Sequence, residues 1–196
     1  MAIQYKRFVR SSLDERSALE LRMVDAVAED LRANLDASSD DIARAHVFGA
    51  QSSVIQKLVA AHLVSVGFEE EVVLTPQDGF VTQARPDLVY SLGPGRGVIA
   101  EVERGGAVNN NHDLKDMWKA HIAADAQHLF LIVPVSNWSE GGKAREKPFT
   151  RVVHRFASFF GEPRRELDVV SCHVFGYGGL TMHVDESGAL PDAEPG

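Results

Sequence analysis

Cysteine is almost missing from this chain: Cys172 stands alone. No internal disulfide can form, and no Cys/His spacing suits a zinc ligand set. A reducing, cytoplasmic setting is expected. Long apolar runs are missing too. Leu129 to Val135 is the longest strongly apolar run, well short of the ~20 residues a membrane helix needs. The opening Met1-Ala2-Ile3-Gln4-Tyr5-Lys6-Arg7 lacks the apolar stretch of a secretory leader, so no membrane partner is expected. A positive excess is also lacking: 20 Lys and Arg stand against 28 Asp and Glu, a net charge of −8. That argues against a uniformly basic nucleic-acid binder. There is no internal repeat, and Gly93-x-Gly95-x-Gly97 lies between strands rather than before a helix, which excludes a dinucleotide fingerprint.

What charge there is lies unevenly. Lys143, Arg145, Lys147, Arg151, Arg155, Arg164 and Arg165 face only Glu146 and Glu162 in one segment. A basic groove can carry nucleic acid on an acidic protein when a metal sits at the phosphate. The same residues also read as a solvated helix face. The residues from Glu186 to Gly196 form an acidic tail expected to be disordered. Residues 1–185 are expected to form one domain, large enough for a substantial core.

The local patterns predict a helix over Leu13 to Leu35, opened by a Ser12/Glu15 capping box, with Leu19, Met23, Val27, Leu31 and Leu35 as its apolar stripe. A second helix is predicted from Asp41 to Val66, closed by Gly67. Gln51 and Gln56 stand among its apolar residues. A strand over Glu69 to Leu74 and a turn over Thr75 to Gly79 follow. After a Gly/Asn-rich loop, a helix capped by an asparagine starts near His112, with Leu114, Met117, Trp118, His121 and Ile122 apolar and Lys115 and Lys119 at i, i+4. His112 and His121 are candidate substrate contacts. Gln127 to Val135 reads as a strand buried on both faces. Ser136 to Pro148 reads as a polar loop and Phe149 to Phe160 as a helix. Leu167 to Phe175 and Leu180 to Val184 read as a second hairpin.

The centre of the chain is Arg85-Pro86-Asp87-Leu88-Val89-Tyr90, a Gly/Pro break, then Val98-Ile99-Ala100-Glu101-Val102-Glu103. This reads as an antiparallel hairpin. With its turn centred near Pro94, Asp87 lies opposite Glu101, and Glu103 shares that face by the period-2 rule. Like charges so placed repel, and a divalent cation would remove the conflict. The same spacing also reads as an exposed hairpin end whose acids merely solubilise it.

The order Pro86-Asp87, hairpin, Glu101-x-Glu103 resembles the PD-(D/E)XK nuclease superfamily, which includes many type II restriction enzymes, junction resolvases and repair nucleases. The chain departs from the usual motif in carrying Glu103 where lysine is commoner. The resemblance implies an α/β fold with a restriction-endonuclease-like αβββαβ core, about residues 41–135, a mixed central sheet, an added N-terminal helix and a C-terminal helix plus β-hairpin. It implies a Mg²⁺-dependent endonuclease, with Mn²⁺ able to substitute, acting on double-stranded DNA as a homodimer. Asp87, Glu101 and the Val102 carbonyl would hold the metal. Glu103 would orient water or hold a second ion. The helix position that is often acidic in the superfamily is the neutral Gln56 here. Lys119 or Lys115, on the helix after the motif, could stand in for the missing lysine. Lys115, Lys143, Arg145, Lys147, Arg151 and Arg155 are the candidate DNA contacts. A catalytically inactive binding module, a resolvase and an RNA nuclease are the alternatives.

Overall fold

Every residue of the segment His128–Pro134 is buried, and the rest of the chain is arranged to cover it. The computed structural model describes residues 3–47, 49, 52–70, 72, 85–103 and 107–182. Among them, in chain order, lie β1 (Gln4–Val9), α1 (Glu15–Ala37), α2 (Ser39–Ala45), α3 (Ser52–Ser65), β2 (Glu69–Glu70), β3 (Leu88–Gly93) and β4 (Arg96–Val102). Then follow α4 (His112–Ile122), β5 (His128–Pro134), β6 (Asn137–Trp138), β7 (Ala144–Glu146), α5 (Pro148–Phe156) and β8 (Ser171–Tyr177). The protein is an α/β fold with a mixed sheet in the order β1-β8-β5-β4-β3-β2. β4, β5 and β8 run parallel, and the other pairings in this sheet are antiparallel.

Strand alternation sends side chains to two helical layers. Leu88, Val98, Ala100, Phe130, Ile132 and Phe175 pack with residues of α1, α2 and α3. Ile99, Leu129, Leu131, Val133, Cys172 and Val174 pack with Met117 and Ala120 of α4 and with Phe149, Val152 and Phe156 of α5. Burying each large apolar side chain of β5 contributes roughly 1.5–3 kcal/mol. The uninterrupted apolar run thus occupies a strand with helices on both faces, as its pattern predicts.

Several expectations are corrected. The cap of α1 is Asp14, whose carboxylate accepts the Ser17 N–H at 2.6 Å, not a Ser12 box. Its buried row is Ser17, Leu21, Val24, Ala28, Leu31 and Leu35, while Leu19 and Met23 are exposed. A row of every fourth residue drifts round a 3.6-residue helix, so the expected stripe leaves the core face. The predicted second helix is two, α2 and α3, parted near Gly49, whose φ is +77°. The close of α3 is as expected: Gly67 adopts φ +104°. Its N–H bonds Val64 O at 3.1 Å, and Phe68 N–H bonds Leu63 O at 3.0 Å, a Schellman turn. β8 pairs with β1 and β5 rather than with residues 180–182, because a strand buried along its whole length needs a partner on each edge. β1 is an unexpected strand. The polar loop contains the β6–β7 ribbon, with Trp138 buried against His46, whose carbonyl accepts the indole N–H at 3.1 Å. The helical part of Phe149–Phe160 ends at Phe156 in a short 3₁₀ turn. Gln51, half of the strand expected over Glu69–Leu74, the turn Thr75–Gly79, Gly105, Gly106, Val184 and the acidic tail lie outside the described residues.

A row of polar groups lies beneath α1. Tyr5 OH contacts His173 Nδ1 at 2.7 Å, and His173 Nε2 contacts Ser171 Oγ at 3.1 Å. Ser171 Oγ in turn contacts His128 Nδ1 at 2.8 Å. His128 Nε2 lies 3.9 Å from Glu20, whose carboxylate takes a two-nitrogen grip from Arg96 at 2.6 and 2.9 Å. The row ties β1, β8, β5, β4 and α1 together. Burial is the main reason both imidazoles stay neutral, with His128 pushed down to about 4 and His173 to about 3.

Candidate functional site

The β3–β4 register pairs Leu88 with Ala100, which brings Asp87 to the level of Glu101 just beyond the paired residues. The two are in contact. Asp87 N–H approaches Glu101 Oε2 at 3.4 Å, and Asp87 Oδ2 accepts the Val102 N–H at 2.9 Å. Glu101 alternates with Ala100 and so points to the α4 side with Ile99. It is almost fully buried. Glu103 lies just past β4. Its N–H is held by Ile132 O at 2.8 Å, and its carbonyl accepts Tyr177 OH at 3.0 Å. Its carboxylate meets His112 Nδ1 at 3.0 Å.

α4 supplies the other wall. Lys119 Nζ donates to Glu101 Oε1 at 2.7 Å and lies 3.0 Å from Asp116 Oδ1. Asp116 is buried, and its Oδ2 has no hydrogen-bond partner among the described residues. Asp116 escaped the sequence reading because a helical aspartate reads as solvated. The signal available was its place in Asp113, Asp116, Met117, Ala120, the i, i+3, i+4, i+7 row that α4 buries. Trp118, expected on the apolar face, is exposed. It lies off that row, because the aspartates that face inward are met there by Arg155 and Lys119. Asn111 sits at the N-cap in a left-handed conformation, φ +55°, and makes no side-chain cap bond.

Charge in this cluster is unbalanced. Asp87, Glu101, Glu103 and Asp116 lie together at this end of the sheet, and among the described residues Lys119 is the cation bonded to two of them, Glu101 and Asp116. Burial, then the charge of Asp116, pushes Glu101 up to about 8, against the pull of Lys119. Burial likewise takes Asp116 to about 6, with Lys119 opposing and Glu103 and Asp87 adding to the rise. Glu103 is raised by burial, against its bond to His112. Burial alone would lower Lys119, but Asp116 and Glu101 outweigh it and raise it. Lys119 therefore stays charged, while burial disfavours the ionised form of Glu101, Glu103 and Asp116. Oxygen donors, excess negative charge and an orphaned buried oxygen suit a hard divalent ion. In the arrangement present, however, no group of three His, Cys, Asp or Glu side chains among the described residues is set to hold a metal. The carboxylates are turned to Lys119, to His112 and to a backbone N–H instead.

The other candidates are placed as follows. Gln56 is half-buried on α3, in the helical layer on the opposite face, and no bond among the described residues joins it to the cluster. Lys115 is exposed on α4. Lys143 and Arg145 are exposed on the ribbon side, Lys147 follows β7, and Arg151 is exposed on α5. The ribbon is tied to the residues just before α4 by the Asn109 amide donating to Glu146. Arg155 is engaged elsewhere. Its guanidinium holds the fully buried Asp113 at 2.9 and 3.1 Å and reaches Asn111 Oδ1 at 3.3 Å, which anchors the start of α4. His121 Nδ1 accepts the Asp168 N–H at 2.9 Å, a structural tie.

No protein-family model matches the sequence, and no curated protein matches it. Among the described residues no helix is long and apolar enough to cross a membrane.

Proposed function

We propose that this chain is a divalent-metal-dependent endonuclease of the PD-(D/E)XK type, hydrolysing phosphodiester bonds of double-stranded DNA as a cytoplasmic homodimer in a restriction-like role. The observation that carries the reading is Asp87 beside Glu101 at the end of the hairpin, with a lysine from the next helix on the Glu101 carboxylate. That lysine, Lys119, brings back the positive charge that Glu103 removes from the usual motif. The order helix, three strands, helix, strand from α3 to β5 also supports a restriction-endonuclease-like core.

Asp87, Glu101 and the Val102 carbonyl would hold Mg²⁺ or Mn²⁺. When bound, the ion offsets charge on the phosphate and lowers the pKa of water. Lys119 keeps its charge and stabilises negative charge at the phosphate. Glu103, aimed by His112 and anchored through its carbonyl by Tyr177, orients the attacking water or takes its proton. Lys143, Arg145, Lys147 and Arg151 contact the DNA backbone.

A second reading, a nuclease-fold binding module without catalysis, is favoured by Glu101 and Asp116 closing on Lys119, with no group of three among the described residues set for an ion. One experiment separates the two. Plasmid, branched DNA and RNA are incubated with Mg²⁺, Mn²⁺ or EDTA. Cleavage of plasmid that needs metal and is lost in Asp87→Ala supports the endonuclease. Cleavage of only branched DNA or RNA redirects the substrate. Binding without cleavage under every condition replaces it with the module.

A further inference from the structure

We propose that Lys119 is a built-in counter-ion, which a divalent cation must displace from Glu101 before the site is charged for catalysis. The inference rests on the proposed nuclease reading for the presence of that ion, and goes beyond it in assigning Lys119 and Asp116 a role in metal affinity.

The geometry makes the two cations competitors. Lys119 Nζ takes Glu101 Oε1 at 2.7 Å, and a metal–oxygen bond to the same carboxylate, at about 2.0–2.6 Å for Mg²⁺ or Ca²⁺, would place two cations on one buried group. Screening between them is weak, since Glu101 and Asp116 are buried and the Lys119 side chain is only 29% exposed. The displaced ammonium has a place to stay. Asp116 lies one turn back on α4, already 3.0 Å from Nζ, and its Oδ2 has no partner among the described residues. Lys119 can therefore swing wholly onto Asp116 while remaining beside the site. Released from Glu101, it can turn toward a phosphate. The same exchange accounts for a cluster rich in carboxylates that nonetheless shows, among the described residues, no group of three arranged for an ion.

The test is Mn²⁺ titration by calorimetry of the metal-stripped full chain, with parent, Lys119→Met, Lys119→Gln and Lys119→Arg compared at one pH. Each is also melted with and without Mn²⁺. Lys119→Met and Lys119→Gln should bind Mn²⁺ at least about tenfold tighter than the parent, because the Coulomb repulsion is gone. Their melting temperatures, lower than the parent's without ion, should rise more on adding it. Lys119→Arg keeps a cation and should stay within about threefold of the parent. Equal or weaker binding by whichever neutral variant folds overturns the counter-ion role. If the parent still cleaves DNA with Mn²⁺, that result leaves the nuclease reading standing. Absence of Mn²⁺ binding in the parent and in all variants overturns both.

Discussion

Acidification should remove stability through two buried histidines. His128 and His173 are fully buried on β5 and β8 and face Glu20, Arg96, Arg7, Asp25 and Tyr5. Burial holds both below their ordinary value of 6.5. A histidine kept neutral in the fold binds fewer protons than in the unfolded chain, so its contribution is complete above the unfolded pKa and is lost as pH falls below it. With both folded values well below 5.5, each histidine loses about 1.4 kcal/mol between about pH 7.5 and about pH 5.5, nearly 3 kcal/mol for the pair. The parent's own profile will not display this. Glu101 and Asp116 are raised in the fold, so their cost is relieved over the same range, with the opposite sign. Subtraction isolates the histidines. Urea unfolding in EDTA at both pH values is compared for the parent and for the His128→Gln/His173→Gln double variant, which retains both carboxylates. The stability difference between parent and variant should shrink by nearly 3 kcal/mol at the lower pH. A difference that does not change with pH would mean the imidazoles take up protons inside the fold, and would refute the reasoning.

Neutralising Lys143, Arg145, Lys147 and Arg151 one at a time should lower the log–log salt slope of DNA binding by about 0.9 for each phosphate that the side chain had neutralised, with no change in melting; an unchanged slope removes the residue from the interface. Arg155→Gln should behave in the opposite way, leaving the slope alone but costing about 3 kcal/mol in urea unfolding, since it strands buried Asp113 without its cation. Gly97→Ala should destabilise by about 1–3 kcal/mol in the same assay, because a Cβ would lie 2.7 Å from Tyr90 O and 2.8 Å from Asp125 O; a neutral result would show that both backbones yield. Glu103→Ala should lower turnover by at least about a hundredfold while DNA binding persists, and an unchanged single-turnover rate would exclude Glu103 from catalysis.

The hairpin could be read from the chain because its cues are local. Strand periodicity and the Gly93-Pro94-Gly95 break put Asp87 level with Glu101, and the register keeps them so despite the irregularity between Ser91 and Gly93. β5 was equally legible, being apolar from Leu129 to Pro134. β1 was not, because Lys6 and Arg7 break its apolar pattern and its partner among the described residues, β8, is remote in sequence. The Lys119–Glu101 contact was foreseeable as a reach from the next helix. Asp116 was hidden for a different reason: a buried aspartate is tolerable only because Lys119 sits one turn away on the same helix, and sequence spacing alone does not reveal that the turn faces the sheet. Gln56 shows the converse limit, since position along a helix does not reveal which bonds the side chain makes.

The pairing of β1 with β8 has a consequence for how the molecule comes into being. Tyr5 and His173, bonded in the finished sheet, are 168 residues apart. At synthesis rates of about 5–20 residues per second, β1 waits roughly 10 to 30 s for its partner. Until then β5 also lacks a neighbour on one side, so the growing polypeptide carries two strands with an open edge, one of them apolar from Leu129 to Pro134. The hairpin and α4, whose contacts are short in sequence, can form early. The acidic cluster would then be assembled on the nascent chain before the sheet is complete, while β5 still offers an open edge to any other strand in its surroundings.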